Sequence, residues 1–217
     1  MVWQEIGVRI LEILLVPYFN KEILWTIAPL IFALVMLQMY FGKYKTELLG
    51  WNTAFSNSIS LMWVTAILLK YMSGEYGFRG MITDRSQMSY FIMIGVLIII
   101  TVLLAMLNFE HKIPKKLAFI LSSSLPVNIL AYFVIVIVMG RITIDEITFF
   151  AAVVLFLFLS LVFYIYRKSI TPPKSEIPIL KKHEEIKEKK IKQIKKIIKK
   201  KIEKGVKKII PNKFQKE

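Results

Sequence analysis

Asparagine and serine side chains form a regular pattern in the second of several long apolar runs of this sequence. Asn52, Ser56 and Ser60 recur at every fourth residue, and Thr53 and Asn57 occupy the neighbouring row of the same predicted helix. Amide and hydroxyl groups in such rows bond across to another helix or line a hydrophilic cavity, because lipid offers them no partner. The spacing therefore predicts a polar face about two helical turns long.

A second group of polar residues lies in the fourth apolar run and is the natural partner for this face. Ser124 and Asn128 share one side of a predicted helix, and Pro126 between them removes a backbone donor and predicts a kink. Two interpretations stay open, with Asn57 and Asn128 as the central candidates in both. One is close packing, with amides bonded between helices. The other is a binding site or pathway at mid-membrane.

Residue types that perform catalysis or bind metals are scarce in the apolar part of the chain. The sequence has no cysteine, and its two histidines, His111 and His183, each stand beside a glutamate without a ligand partner at helical spacing. The long apolar runs also lack Asp, Glu, Lys, Arg and His, on which proton-coupled transport usually relies. We therefore expect no catalytic residue, no metal site and no cofactor, and we predict that the protein is not an enzyme.

Lysine dominates the C-terminal quarter of the chain. From Arg167 onwards there are 19 Lys and Arg against 6 Asp and Glu, so this part carries +13 of the total net charge of +15. Isoleucines recur among these lysines from Ile186 to Ile202, and the stretch from Ile179 to Ile210 is therefore predicted to form a basic amphipathic helix. The lysines that we expect to bind an anionic surface are Lys181, Lys182, Lys187, Lys189, Lys190, Lys192, Lys195, Lys196, Lys199, Lys200 and Lys201.

Three interpretations of this tail stay open. Anionic lipid headgroups attract lysines beside a membrane span, by about 1 kcal/mol for each lysine. A ribosome or another acidic surface would attract them too, because contact with a phosphate backbone requires charge alone. The third is a solvated tail that only sets the topology. Sequence-specific nucleic-acid binding is not expected, since Phe214 is the one aromatic residue after Tyr166 and arginine is almost absent.

Five apolar runs without charged residues supply the elements that must position these side chains. Each contains about the 20 residues needed to cross a hydrocarbon core roughly 30 Å thick. The predicted fold is all-α, a polytopic membrane bundle of about five transmembrane helices, with loops such as Lys70–Gln87 and Asn108–Lys116 between them. The runs are Ile23–Phe41, Leu48–Leu69, Met88–Leu107, Leu117–Gly140 and Ile147–Tyr166.

The same pattern predicts the organisation and orientation of the chain. Residues 1–20 are predicted to be an amphipathic segment, either a helix in the membrane interface or a helical extension packed on the bundle. A five-span bundle follows over residues 21–168, and a lysine-rich tail over residues 169–217. Arg167 and Lys168 come directly after the fifth run, and basic residues that flank a span favour the cytoplasm. We therefore expect the C-terminus in the cytoplasm and the N-terminus outside.

In outline, five spans with an external N-terminus and a basic helical tail resemble the membrane-protein insertases. The resemblance implies insertion of nascent membrane proteins, with the tail holding the ribosome, and it covers topology alone. Gly42–Glu47 is a minimal turn where that family has a cytoplasmic helical hairpin, and the runs contain no arginine.

The function predicted from all of these features is that of a non-enzymatic integral membrane protein. We expect a scaffold or complex subunit whose tail engages anionic lipid or a ribosome-like surface, with other membrane subunits as further partners. The alternative is a small transporter, channel or insertase that uses a hydrophilic groove between the second and fourth spans.

Overall fold

The computed structural model describes residues 2–45, 50–173 and 177–209, and every regular element in these ranges is a helix. This confirms the predicted all-helical class for the described part of the chain. Helices α1 to α7 belong to one unit and α8 belongs to another. The helices are α1 (Val2–Phe19), α2 (Lys21–Lys43), α3 (Trp51–Thr83), α4 (Arg85–Phe109), α5 (Lys115–Leu121), α6 (Ser124–Met139), α7 (Glu146–Ser169) and α8 (Ile177–Ile209).

Within the described ranges, four stretches of helix are long and apolar enough to cross a membrane. They are α2, α4, the stretch Lys115–Met139 that contains α5 and α6, and α7. These stretches correspond to the first, third, fourth and fifth predicted runs. Helix α3, which contains most of the second run, is not among them. The asparagine and serine side chains of its first turns lower its hydropathy.

Helices α3 and α4 form a long antiparallel hairpin. Helix α3 continues to Thr83, so most of the predicted Lys70–Gln87 loop is helical instead. Gly77 introduces a kink with φ of +64°, a backbone conformation that glycine adopts without steric cost. Asp84 then separates the two helices, and its carboxylate caps α4 by accepting a hydrogen bond from the Ser86 N–H at 2.9 Å.

The end of the bundle at which α6 connects to α7 is named here the Asp145 end. Two ion pairs join neighbouring helices there. Arg141, just after α6, contacts Glu75 of α3 at 3.1 Å, and Arg9 of α1 contacts Asp145 at 3.1 Å. The later part of α3 therefore lies beside the end of α6, and α1 lies beside the start of α7.

The opposite end, at which α4 connects to α5, is named here the His111 end. The rings of Trp51 and His111 stack there with centroids 4.4 Å apart, which places the start of α3 beside the end of α4. The guanidinium of Arg167 lies 5.8 Å from the ring of Phe41, so α2 and α7 finish side by side. Consequently α2, α3, α4, the α5–α6 stretch and α7 alternate in direction.

Helix α6 lies at the centre of the bundle. Its residues from Phe133 to Met139 are all buried, and it packs against α1, α2, α3 and α7. A helix that is apolar on all sides needs neighbours on all sides to bury it. The core is therefore built around α6.

Helix α1 packs on the bundle through one face. Ile6 and Ile13 are buried, and the Tyr132 hydroxyl of α6 donates a hydrogen bond to the Ile13 carbonyl at 3.0 Å. Asn20 separates α1 from α2 and caps α2 by accepting a hydrogen bond from the Ile23 N–H at 3.3 Å. These are the contacts of a packed helical extension, and its depth relative to the membrane surface stays a prediction.

We expect Gly140→Ala to lower the free energy of unfolding by about 1–3 kcal/mol, the usual effect of overpacking a tight site. A Cβ at this position would meet the Val136 carbonyl oxygen and, at 2.7 Å, Val16 Cγ1 of α1. Gly95→Ala is the matched control, because its Cβ would have no described atom within 4 Å. Unfolding by SDS titration in mixed micelles measures both variants, and equal stability of the two would contradict this account of the α1–α6 contact.

Candidate functional site

The stretch from Lys115 to Met139 is interrupted at two serines. Helix α5 ends at Leu121, Ser122 has φ −100° and ψ 18°, and Ser123 is extended with ψ 155°. Pro126 has no N–H, so the residue four positions after Ser122 cannot donate to the Ser122 carbonyl. The break therefore leaves that carbonyl without its helical partner.

Asn57 of α3 supplies the donor that the helix lacks. Its Nδ2 group donates to the Ser122 carbonyl oxygen at 2.7 Å from a half-buried position. A buried carbonyl without a partner is costly, most of all in a membrane, where lipid cannot replace the bond. This contact therefore pins the start of α3 to the break between α5 and α6.

Asn108 approaches the same serine from α4. Its side chain is fully buried, and its Nδ2 donates to the Ser122 hydroxyl at 2.7 Å and to the Ser58 hydroxyl at 3.0 Å. The Ser58 hydroxyl in turn donates to the Ala54 carbonyl at 3.0 Å. We name Asn57, Ser58, Asn108 and Ser122 the polar node.

Small residues surround the polar node. Ala54 of α3, Ala105 of α4 and Ala118 of α5 are buried. Small side chains let helix backbones approach closely, which brings short amide and hydroxyl side chains within bonding distance of each other. The arrangement is that of a packing contact bonded across three helices.

The structure places the six polar residues predicted from the sequence in three different settings. Asn57 joins the polar node. Ser124 is buried and half-buried Asn128 donates from Nδ2 to the Ser124 carbonyl at 2.6 Å, so these two bond within α6. The other three, Asn52, Ser56 and Ser60, are exposed on the outer side of α3. The predicted pairing of the whole stripe with the fourth span is therefore not realised, and a binding site there stays a prediction.

Sequence reasoning missed Asn108, Ser58 and Ser122. The sequence predicts Asn108 in the Asn108–Lys116 loop, yet it lies in the last turn of α4. The sequence does contain a pattern that identifies this residue. Thr101, Ala105 and Asn108 follow one another at intervals of four and three residues, and the structure shows that all three are buried. Small and polar residues at that spacing indicate a face that packs on another helix.

The Asp145 end holds a separate group of charges. Arg9 bridges Glu12, at 2.8 Å, and Asp145. The Thr148 N–H donates to the Asp145 carboxylate at 2.7 Å, and this bond, with help from Arg9, holds the pKa of that carboxyl below its usual range. Its negative charge caps α7 at physiological pH, so the group has a structural role.

The predicted anionic-surface lysines lie on α8. The side chains of Lys181, Lys182, Lys187, Lys189, Lys192 and Lys195 are exposed. Those of Lys190, Lys196, Lys199, Lys200 and Lys201 lie outside the side chains that the structure describes. Among the residues that the structure describes, no three metal-ligating side chains come together. The absence of a metal or cofactor stays a prediction.

Comparison of the chain with known protein families, with characterised proteins and with solved structures finds no match.

We expect Asn57→Leu to lower the free energy of unfolding by about 1–3 kcal/mol, because it removes the donor to the Ser122 carbonyl and leaves that carbonyl buried and unpaired. Asn52→Leu, one turn earlier on the exposed side of the same helix, is the matched control and should change stability by less than about 0.5 kcal/mol. Unfolding in mixed micelles, with each variant kept monomeric by dilution, measures the difference. If the two variants lose similar amounts of unfolding free energy, Asn57 is not the donor that stabilises the Ser122 carbonyl.

Proposed function

We propose that the chain is a non-enzymatic integral membrane protein, a scaffold or complex subunit, whose helix α8 binds anionic lipid headgroups at the cytoplasmic surface. The observation that carries the proposal is the pairing of exposed isoleucines with lysines along α8. Ile191, Ile194 and Ile198 follow at helical spacing and expose 44%, 54% and 51% of their surface. Lysines flank them on both sides.

A membrane surface has two layers, an apolar layer of acyl chains and an outer layer of anionic phosphates. The isoleucine row of α8 matches the first layer, and the lysines that border it match the second. Isoleucine gains roughly 1.5–3 kcal/mol when it is fully removed from water, and each lysine near an anionic leaflet gains about 1 kcal/mol. The side chains enter the acyl boundary while the ammonium groups reach the phosphates. A ribosome satisfies only the second layer, because an RNA backbone offers the isoleucines no apolar phase. Lipid is therefore the partner that this helix fits best.

The proposed topology has five spans, with the N-terminus outside and the C-terminus in the cytoplasm. The alternating directions of α2, α3, α4, the α5–α6 stretch and α7 support five crossings. Arg167 and Lys168 in the last turn of α7 support a cytoplasmic C-terminus, since basic residues beside a span set its orientation. On this topology α3 crosses the membrane although it is less apolar than its neighbours.

The scaffold interpretation is supported by the hydrogen bonds that the asparagine side chains of the bundle make within this chain. The amides of Asn57 and Asn108 bond to a carbonyl and to hydroxyls of neighbouring helical segments of this same chain, and the amide of Asn128 bonds within α6. Groups that bond to one another hold helices together, whereas a transport pathway requires groups that face a permeant species. Packing is therefore the role favoured for the polar node.

The lipid proposal predicts a response of α8 to membrane charge. The chain has no cysteine, so Ile194→Cys provides one site for an environment-sensitive fluorophore. In nanodiscs that contain anionic lipid, we expect a blue-shifted emission that reverts in high salt, and in neutral nanodiscs an emission typical of water. Replacing Lys187, Lys189, Lys192 and Lys195 by Gln should weaken the association about a thousandfold, from about 4 kcal/mol of lost attraction.

Replacing the same four lysines by Arg keeps the charge and is the matched control, so it should leave the emission shift in place. Ribosomes are added in a parallel series at two salt concentrations. An emission that is equal in anionic and neutral nanodiscs would contradict the lipid proposal. A shift that requires ribosomes would replace lipid by ribosome as the partner.

A further inference from the structure

The connection between α4 and α5 carries three lysines at the His111 end. Lys112 lies within the connection, Lys115 and Lys116 are the first two residues of α5, and all three side chains are exposed. Lys112 pairs with Glu110, whereas neither Lys115 nor Lys116 has an ion pair among the residues that the structure describes. The connection therefore presents two ammonium groups whose charge the described part of the chain does not neutralise.

Aromatic rings hold this connection in place. The ring of Trp51, the first residue of α3, stacks on His111 and contacts Phe119 of α5 edge-on, with centroids 5.3 Å apart. The ammonium group of Lys115 lies 5.7 Å from the centroid of the Phe119 ring. A surface that is ordered before it binds loses less conformational freedom when it does so. The backbone from which the lysines extend is therefore already fixed for a ligand.

Exposed apolar side chains follow the lysines along the same helix. Lys116 and Ile120 are four residues apart and share one face of α5, and Ile120 exposes 66% of its surface. Leu117 and Leu121 form the neighbouring row and are also exposed. On the proposed topology the lysines lie at the cytoplasmic boundary, and the apolar rows continue from them into the membrane. A phospholipid has the same order of groups, with its phosphate at the boundary and its acyl chains beneath.

We propose that the α4–α5 connection binds an anionic phospholipid of the cytoplasmic leaflet. Its headgroup contacts the ammonium groups of Lys115 and Lys116, and its acyl chains lie along Leu117, Ile120 and Leu121. The proposal rests on the topology proposed above and is independent of lipid binding by α8.

Charge and apolar surface together select this ligand. Two unneutralised lysines favour an anionic headgroup over a zwitterionic one, because each lysine is attracted to an anionic leaflet. A free phosphate or an RNA backbone would satisfy the ammonium groups but would leave Ile120 and its two leucine neighbours without an apolar phase. Anionic lipid is therefore the ligand that satisfies both parts of the surface.

Quenching of Trp51 fluorescence by brominated lipid tests the site in the full-length protein. Trp3, Trp25 and Trp63 are exposed and are replaced by Phe, so that Trp51 is the one emitter. In bilayers, we expect brominated phosphatidylglycerol to quench Trp51 more strongly than brominated phosphatidylcholine at the same mole fraction. The ratio of the two binding constants should fall about thirtyfold, to near one, when Lys115→Gln and Lys116→Gln are combined.

The matched control combines Lys115→Arg with Lys116→Arg, which keeps the charge and should keep the selectivity for phosphatidylglycerol. Equal quenching by the two lipids in the protein with both lysines would overturn the proposal. Selectivity that survives the two Gln substitutions would overturn the assignment to these lysines. Recovery of Trp51 emission on addition of inorganic phosphate at constant ionic strength would overturn lipid as the source of the phosphate.

Two further outcomes separate this proposal from those made above. Replacing Lys187, Lys189, Lys192 and Lys195 of α8 by Gln should leave the quenching of Trp51 unchanged. A selectivity that is lost only in this α8 variant would overturn the site on the bundle and leave lipid binding by α8 intact. A Trp51 that neither lipid quenches would overturn the position of the connection at the membrane boundary, and with it the topology.

Discussion

The Ser122 carbonyl is the group on which the arrangement of this bundle most depends. A membrane leaves no backbone group to be solvated by water, so a helix that breaks inside the apolar region must find a replacement donor. Pro126 and the extended backbone of Ser123 create such a break, and Asn57 of α3 supplies the donor at 2.7 Å. Helix α3 must therefore lie against the α5–α6 stretch, and α4, which is joined to α3 by Asp84, lies beside them. Asn108 then completes the contact by bonding to the Ser122 hydroxyl.

This constraint explains why α3 is the most polar of the bundle helices that pack together. One row of its polar side chains is used within the chain, and a second row is exposed. The inner row makes α3 a structural partner for the broken stretch. The scaffold proposal therefore follows from this packing chemistry, while lipid binding by α8 has an independent basis.

Much of the fold could be predicted from apolar length alone. The runs Ile23–Phe41, Met88–Leu107 and Ile147–Tyr166 each lie inside one helix, because an uninterrupted charge-free stretch of that length has few alternatives to a helix. The lysine and isoleucine pattern likewise indicated a helix where α8 lies. The predicted Lys70–Gln87 loop is wrong, because α3 continues beyond the charge-free run that ends at Leu69 and reaches Thr83. A lysine at a membrane boundary does not end a helix, and α3 bends at Gly77 but continues to Thr83.

The candidate site was less predictable, for a specific physical reason. Asn52, Ser56 and Ser60 have the same periodicity as the buried row that contains Ala54 and Ser58, so spacing alone cannot decide which row faces the bundle. That choice depends on Asn108 and Ser122, which come from two other helices. Helical period identifies a face, whereas burial depends on partners that are distant in the sequence.

The central claim is that α3 crosses the membrane in spite of its polar residues, and labelling of single cysteines tests it most directly. Gly50→Cys lies just before α3, and Arg79→Cys lies on an exposed position near its end. In intact cells treated with a membrane-impermeant maleimide, we expect Arg79→Cys to be labelled at once and Gly50→Cys only after permeabilisation. Lys181→Cys in α8 should behave like Gly50→Cys, because the proposed topology puts both residues in the cytoplasm. Labelling of Gly50→Cys and Arg79→Cys from the same side of the membrane would contradict the account.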